Sequence, residues 1–223
     1  MQNDLTQVRG MVLKHAPVGD YDWVVTILTI ELGKITAFAK GARKPSGKLS
    51  GNVEPFCYGT FKLYAGRTSY NIVEADIQNY FESFRMDLDG AIYGTFFLEI
   101  ADYYCHENDI DTALLGLLYM SLRALETDSI DNRLVRCIYE IKSLSIEGEY
   151  PGPPLDRRWQ DATVYTMDFI VKSSVQKLYT FSVKDDILHE LMNVTDIFRK
   201  RFIDRQMKSF EMVSSLENNV EKL

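Results

Sequence analysis

The sequence predicts an α+β protein in which a five-stranded β-barrel is followed by an all-helical C-terminal domain. Two observations carry this prediction. From Arg9 to Tyr80, short β-type runs alternate with turn residues at the even spacing of a small barrel. After Asp87 the apolar period changes from two to the roughly 3.6 residues of a helix. With 223 residues, 46% hydrophobic and 12% aromatic, the chain is large enough for one big domain or two small ones, each with a core. The change of period sets the boundary near Phe81 to Asp89, giving domains at 1–82 and 83–223.

Five strands are expected. The first covers 9–16. The second, 22–31, joins the third, 34–40, across a tight turn carrying Gly33, whose missing Cβ permits positive φ. Residues 56–64 and 68–77 form a second hairpin around Ala65-Gly66-Arg67. In it Phe56, Tyr58 and Tyr64 alternate with Cys57, Phe61 and Leu63 on opposite faces. Five antiparallel strands with no early helix point to an oligonucleotide-binding (OB) barrel.

The helices follow in order. Ile92, Tyr93, Phe96, Phe97, Ile100, Ala101 and Tyr104 recur at helical steps and give one broad apolar face. A leucine-rich helix is expected at 112–125. A third, at 132–146, aligns Leu134, Ile138, Ile141 and Ser145. Pro151-Gly152-Pro153-Pro154 cannot continue it, because proline lacks a backbone donor. Another helical pair then follows. Ser182-Val183-Lys184-Asp185 reads as a capping box ahead of Ile187, Leu191, Val194, Phe198 and Phe202, and the polar residues 217–223 are expected to fray.

Several function classes are disfavoured. No apolar run approaches the ~20 residues of a membrane span. Met1-Gln2-Asn3-Asp4 lacks the basic start of a secretory signal, so cytoplasmic residence is expected. Cys57, Cys105 and Cys137 stand apart without a CxxC pair and read as buried thiols. His15, His106 and His189 are scattered, and acidic pairs such as Glu99 with Asp102 or Asp185 with Asp186 fit solvated helix faces. No grouped nucleophile, base or metal ligand suggests an enzyme, and no cofactor is expected. The stretch from Gly41 to Lys48 is no P-loop: five residues separate its glycines where four are required, and Leu49 replaces the magnesium-holding hydroxyl.

Charge supplies the positive clue. The formal net charge is −7, but residues 1–83 carry nine Lys/Arg against eight Asp/Glu, so the acidic excess lies in the C-terminal part. Residues 33–53 contain Lys34, Lys40, Arg43, Lys44 and Lys48 and no acid. Such a segment is either a flexible loop that tracks a phosphate backbone or an ordinary solvated turn. Tyr21, Trp23, Phe38, Tyr58, Tyr64 and Tyr70 could stack on bases, although a small barrel also needs such rings in its core. A second cluster, Arg199, Lys200, Arg201, Arg205 and Lys208, suits the C-terminal dipole of a helix. Alternatively it extends a nucleic-acid path or receives an acidic peptide.

These residues resemble the bacterial RecO family. The resemblance runs through Arg9-Gly10-Met11-Val12-Leu13, Leu28-Thr29, Gly33-Lys34-Ile35 and, most specifically, Ala39-Lys40-Gly41-Ala42-Arg43-Lys44. It continues through Val53-Glu54-Pro55-Phe56, Arg136 to Gly148 with Glu140 and Leu144, and Arg205-Gln206-Met207-Lys208-Ser209. It implies a non-catalytic, cytoplasmic and nucleoid-associated mediator of DNA repair and recombination that binds single- and double-stranded DNA and anneals complementary strands. With RecR, such a mediator helps load RecA recombinase onto strands coated by single-strand-binding protein, whose acidic C-terminal tail is a further partner; no membrane is involved. By the same resemblance Lys40, Arg43 and Lys44 are the leading DNA contacts, Lys34 and Lys48 weaker extensions, and Arg9 a neighbour. One departure stands out. Many relatives carry a four-cysteine zinc module after the proline-rich bend, whereas Leu155-Asp156-Arg157-Arg158-Trp159 has no cysteine, so a zinc-free variant is expected. A scaffold that binds only proteins, and an OB-fold RNA-binding protein, are the competing readings.

Overall fold

The fold is described from a computed structural model that covers residues 5–66, 69–155 and 158–220. Two compact units emerge. One holds the described residues up to Glu82 together with Leu98–Leu115; the other holds Ser83–Phe97 and the described residues from Gly116 onward.

The first unit is built on β1 (Leu5–Val18), β2 (Asp22–Thr29), β3 (Gly33–Ala39), β4 (Tyr58–Ala65) and β5 (Tyr70–Asn79). They close into a barrel in the order β1-β2-β3-β5-β4, the OB-type barrel expected from the sequence. One detail differs from an all-antiparallel sheet: β3 and β5 pair in parallel, through Ala37 with Tyr70 and Phe38 with Asn71. Parity requires this, since five strands around a closed ring cannot all alternate in direction. Of the expected turn Ala65-Gly66-Arg67, Arg67 lies outside the described residues, as does Thr68 at the start of the expected fifth strand.

Alternation of side chains fills the barrel. Val8, Val12, Val25, Ile27, Ile35, Phe61, Leu63 and Ile72 point inward and are buried. Met11, Leu13 and Leu28 are equally buried but stand apart from this interior cluster. The second half of α1 (Leu88–Tyr104) and the residues after it are bound to the same strands. Lys14 and Lys34 both reach Asp102, Thr36 Oγ1 donates to Glu107 at 2.8 Å, and Asn108 N–H donates to the Lys34 carbonyl at 3.0 Å. Gly33 serves this junction twice. Its φ is +67°, as its turn demands, and a Cβ there would lie 2.0 Å from the Asp109 carbonyl oxygen.

Between β3 and β4 the chain makes a succession of turns and no helix. This segment differs from the flexible loop that its glycines suggest. Ala42, Leu49 and Val53 are buried in the barrel cluster, and Lys44, Gly47, Ser50 and Asn52 each donate a backbone hydrogen bond to a carbonyl three residues back. Apolar anchors at three points hold its polar side chains outward.

The second unit is centred on α3 (Asn132–Ile146), which is buried continuously from Leu134 to Ile141. Its Asp131 cap accepts the Arg133 N–H at 2.8 Å, satisfying one orphan donor. Around it lie the greater part of α2 (Thr112–Leu125), with α4 (Asp161–Lys172), α5 (Asp185–Phe202) and α6 (Lys208–Val220). Tyr139 stacks on Phe97 at 4.4 Å between ring centres.

The structure departs from the sequence expectation at the start of α5 and at the C-terminal tail. Ser182 does not cap α5: the helix starts two residues later than a box at Ser182 requires, with Lys184 at the cap and no side-chain cap bond. Asp185 and Asp186 in its first turn meet the positive dipole end instead. The expected frayed tail is in part a helix, because Glu217 is buried in α6, where the Arg136 guanidinium holds it. Residues 221–223 lie outside the described residues.

Candidate nucleic-acid interface

The β1–β2 hairpin and the start of the β3–β4 segment are laced together. Asp22 Oδ1 accepts the Gly41 N–H at 2.7 Å, the Tyr21 carbonyl accepts the Arg43 N–H at 2.9 Å, and the Gly19 carbonyl accepts Arg43 Nη1 at 3.2 Å. Gly19 and Gly41 both take positive φ, at +56° and +68°, which lets the two turns meet.

This lacing brings cations over rings. The Arg43 guanidinium lies 5.2 Å from the Trp23 ring centre, and Lys44 Nζ lies 4.8 Å from that of Tyr21. His15, diagonal to Trp23 across the hairpin, stacks on it at 3.9 Å with planes 8° apart. Its Nδ1 is 3.4 Å from the Glu54 carboxylate but off the hydrogen-bonding line. Trp23 is half-buried against the barrel core, whereas Tyr21 is 54% exposed. Lys40, Arg43, Lys44 and Lys48 all face solvent. The patch therefore offers exposed cations suited to phosphates and one exposed aromatic ring suited to a base.

The other expected contacts lie elsewhere. Arg9 sits on β1 opposite the Thr29 end of β2, with its N–H donating to Glu31. Lys34 lies near the start of β3 at that same end, roughly 17 Å along the strand from Trp23 at about 3.3 Å per residue. It is also engaged: Lys34 Nζ donates to the Asp102 carbonyl at 2.7 Å and lies 3.4 Å from its carboxylate. Burial opposes ionisation of Asp102, yet Lys14 and Lys34 hold its carboxyl below the usual range. Phe38, Tyr58, Tyr64 and Tyr70 are half-buried, and Tyr70 packs on the barrel core.

The second basic cluster is split. Arg199 turns inward over Phe210, 3.3 Å from its ring centre, and bonds to Glu140 and Asp196. Lys200, Arg201, Arg205 and Lys208 remain at the surface. His15, Asp22 and Glu54 did not stand out in the sequence. Only the hairpin register, which sets His15 beside Trp23, could have signalled the first.

Among the described residues no group of three or more His, Cys, Asp or Glu is arranged to hold a metal ion. In the segment where zinc-binding cysteines would fall, Asp156 and Arg157 lie outside the described residues, while Trp159 Nε1 donates to the Pro154 carbonyl at 2.7 Å. The three cysteines are buried thiols, and burial pushes the Cys137 thiol up to about 12. No helix among the described residues is long and apolar enough to cross a membrane.

Comparison with known families decides the lineage. Residues 1–81 match the family model described as recombination protein O N terminal, and residues 85–153 match recombination protein O C terminal. The chain belongs to the RecO family. It is 24% identical to the DNA repair protein RecO of Clostridium novyi (strain NT), over 96% of this chain and 95% of that one. It is 26% identical to the DNA repair protein RecO of Acetivibrio thermocellus, over 93% and 96%. With that of Moorella thermoacetica the identity is 31%, over 66% and 54%. RecO membership carries a role in DNA repair, and the barrel with its cationic segment is the RecO N-terminal part.

Proposed function

We propose that this RecO-family chain binds single- and double-stranded DNA through the barrel patch of Lys40, Arg43 and Lys44 with Tyr21 and Trp23. On this reading it anneals complementary strands and, with RecR, helps load RecA onto strands coated by single-strand-binding protein. The observation that carries the reading is the pair of cation–ring contacts, Arg43 over Trp23 and Lys44 over Tyr21, on an exposed rim of an otherwise acidic protein.

The mechanism is electrostatic and needs no covalent step. Lysine and arginine that neutralise phosphates release condensed counterions, and this release drives association. A patch with one open ring grips the backbone while leaving most base edges free to pair, which suits annealing. In a chain of net charge −7, a strand is attracted where cations cluster, as they do at this patch. Lys200, Arg201, Arg205 and Lys208 either extend that path or receive the acidic tail of single-strand-binding protein.

The test is fluorescence anisotropy of a labelled oligonucleotide across a salt series, on the wild type and on a protein with Lys40, Arg43 and Lys44 changed to Ala. Affinity should fall and the salt slope should flatten by about two, at ~0.7 per single-strand phosphate contact. An unchanged slope removes the patch from the mechanism. Absence of DNA uptake near zero ionic strength would favour a protein-binding scaffold, and preference for RNA of the same sequence would favour an RNA-binding role.

A further inference from the structure

The helical unit carries an exposed strip of apolar side chains whose surroundings have the opposite charge to the barrel patch. On one side Leu88 and Ile92 stand one helical turn apart at the start of α1; on the other Met212 and Leu216 do the same on α6. Met86, Leu88 and Met212 are 92%, 71% and 47% exposed. Ile92, Met212 and Leu216 line a depression of about 410 Å³. At Leu216 it meets a second hollow of about 590 Å³, lined on its polar side by Asp87, Asp89, Asp128, Asp131 and Arg133.

The charges in this hollow do not cancel. Asp131 and Arg133 neutralise each other, with Arg133 Nη2 donating to Asp131 Oδ2 at 2.6 Å. Asp87 accepts the Gly90 N–H at 3.0 Å, but among the described residues neither it nor Asp89 nor Asp128 has an ion-pair partner. Glu211, on the α6 wall, accepts from the Gln206 side chain and adds a fourth carboxylate. An apolar strip between two helices, edged by unpaired carboxylates, is complementary to an amphipathic helix with a basic polar face.

We infer that the groove between the start of α1 and α6 is a docking site for a basic amphipathic helix of a protein partner. Charge complementarity selects this occupant. A nucleic acid, an anionic membrane, an acidic peptide and the same groove of a second copy would each bring negative charge to Asp87, Asp89 and Asp128. Apolar contacts at Leu88, Ile92, Met212 and Leu216 would anchor one face of the helix, and lysines or arginines would pair at the rim. The inference does not depend on whether the barrel binds DNA.

The experiment uses the full chain and a fluorescein-labelled helical peptide of about sixteen residues, with leucines at i, i+3, i+4 and i+7 and lysines elsewhere. A twin peptide has glutamates in place of the lysines. The lysine peptide should bind and the twin should not. Leu88→Lys and Met212→Lys, at exposed positions where folding tolerates them, should each weaken binding about tenfold or more. Asp186→Lys, outside the groove, should leave it unchanged, as should the Lys40, Arg43 and Lys44 replacement that tests DNA binding. Equal binding of the twin, or equal sensitivity to Asp186→Lys, overturns the inference. Self-association of the wild type, or binding to neutral vesicles, that Met212→Lys abolishes would also overturn it, by assigning the strip to a second copy or to a lipid surface.

Discussion

Arg136 in α3 donates through Nε to the carboxylate of Glu217 in α6 at 2.8 Å, across eighty-one positions of sequence, and both side chains are buried. The pair is part of a closed polar network. Arg136 Nη1 also donates to Glu140 at 2.6 Å and to Thr195 at 3.0 Å; the Tyr93 hydroxyl donates to Glu217 at 3.0 Å; and Arg199 reaches Glu140 at 3.2 Å. Two guanidinium groups thus face two carboxylates. Burial works against the charge of Arg136, but Glu140 and Glu217 more than restore it and raise its pKa above the ordinary value.

Removing Arg136 should therefore be far worse than losing one hydrogen bond. Arg136→Met leaves Glu140 and Glu217 buried without their main partner, and breaking a buried pair in this way costs about 3–5 kcal/mol. Urea unfolding of the helical unit should show a loss of that order, and Glu217→Ala should act in the same direction by stranding Arg136. A variant as stable as the wild type would mean that water reaches the network.

Gly33→Ala should destabilise the barrel unit for two independent reasons. A left-handed φ costs an alanine about 1–3 kcal/mol, and the new Cβ would lie 2.0 Å from the Asp109 carbonyl oxygen, so the post-helix segment must shift as well. Calorimetry should show a lowered Tm. Because the basic patch is at the other end of β2, oligonucleotide affinity measured below the transition should not change.

The barrel was legible because period-two patterning and turn glycines leave local signatures, and Cys57, Phe61 and Leu63 indeed face inward against half-buried Tyr58 and Tyr64. The helices at 112–125 and 132–146 were legible because the 3.6-residue apolar period and the proline-rich bend after them are equally local signals. What escaped depends on long-range contact. Glu217 reads as a polar tail residue until Arg136 is brought beside it, and Arg199 reads as a surface cation until Phe210 covers it. Likewise Lys34 is a cation of the basic segment in sequence but an ion-pair partner of Asp102 in space. Lys40, Arg43 and Lys44 were visible as charge, but the rings beneath Arg43 and Lys44 required the hairpin register.

Asp102 should govern part of the acid limb of stability. Its folded pKa lies below the unfolded value of about 3.9, so its contribution is fully present above that pH and is lost as pH falls through the folded value. Asp102→Asn removes the ion pairs with Lys14 and Lys34. The stability gap between wild type and variant should thus be constant at neutral pH and close below about pH 4. Denaturant unfolding at several pH values checks this, and a gap that widens in acid would contradict the assignment.

Tyr21 and Lys44 touch each other, and they should nevertheless fail differently. Tyr21 is a neutral, exposed ring. If a base stacks on it, Tyr21→Ala weakens oligonucleotide binding by about 1–3 kcal/mol while the salt slope stays the same, and Tyr21→Phe retains affinity. Lys44→Ala removes a phosphate contact, so its loss is largest at low salt and lowers the slope by about 0.7. Trp23→Ala is a poorer probe, because that ring also packs on the barrel core and on His15, and its removal costs stability as well. Should Tyr21→Ala instead alter the slope and not the high-salt affinity, the ring acts only by positioning Lys44, and binding at this patch rests on charge alone.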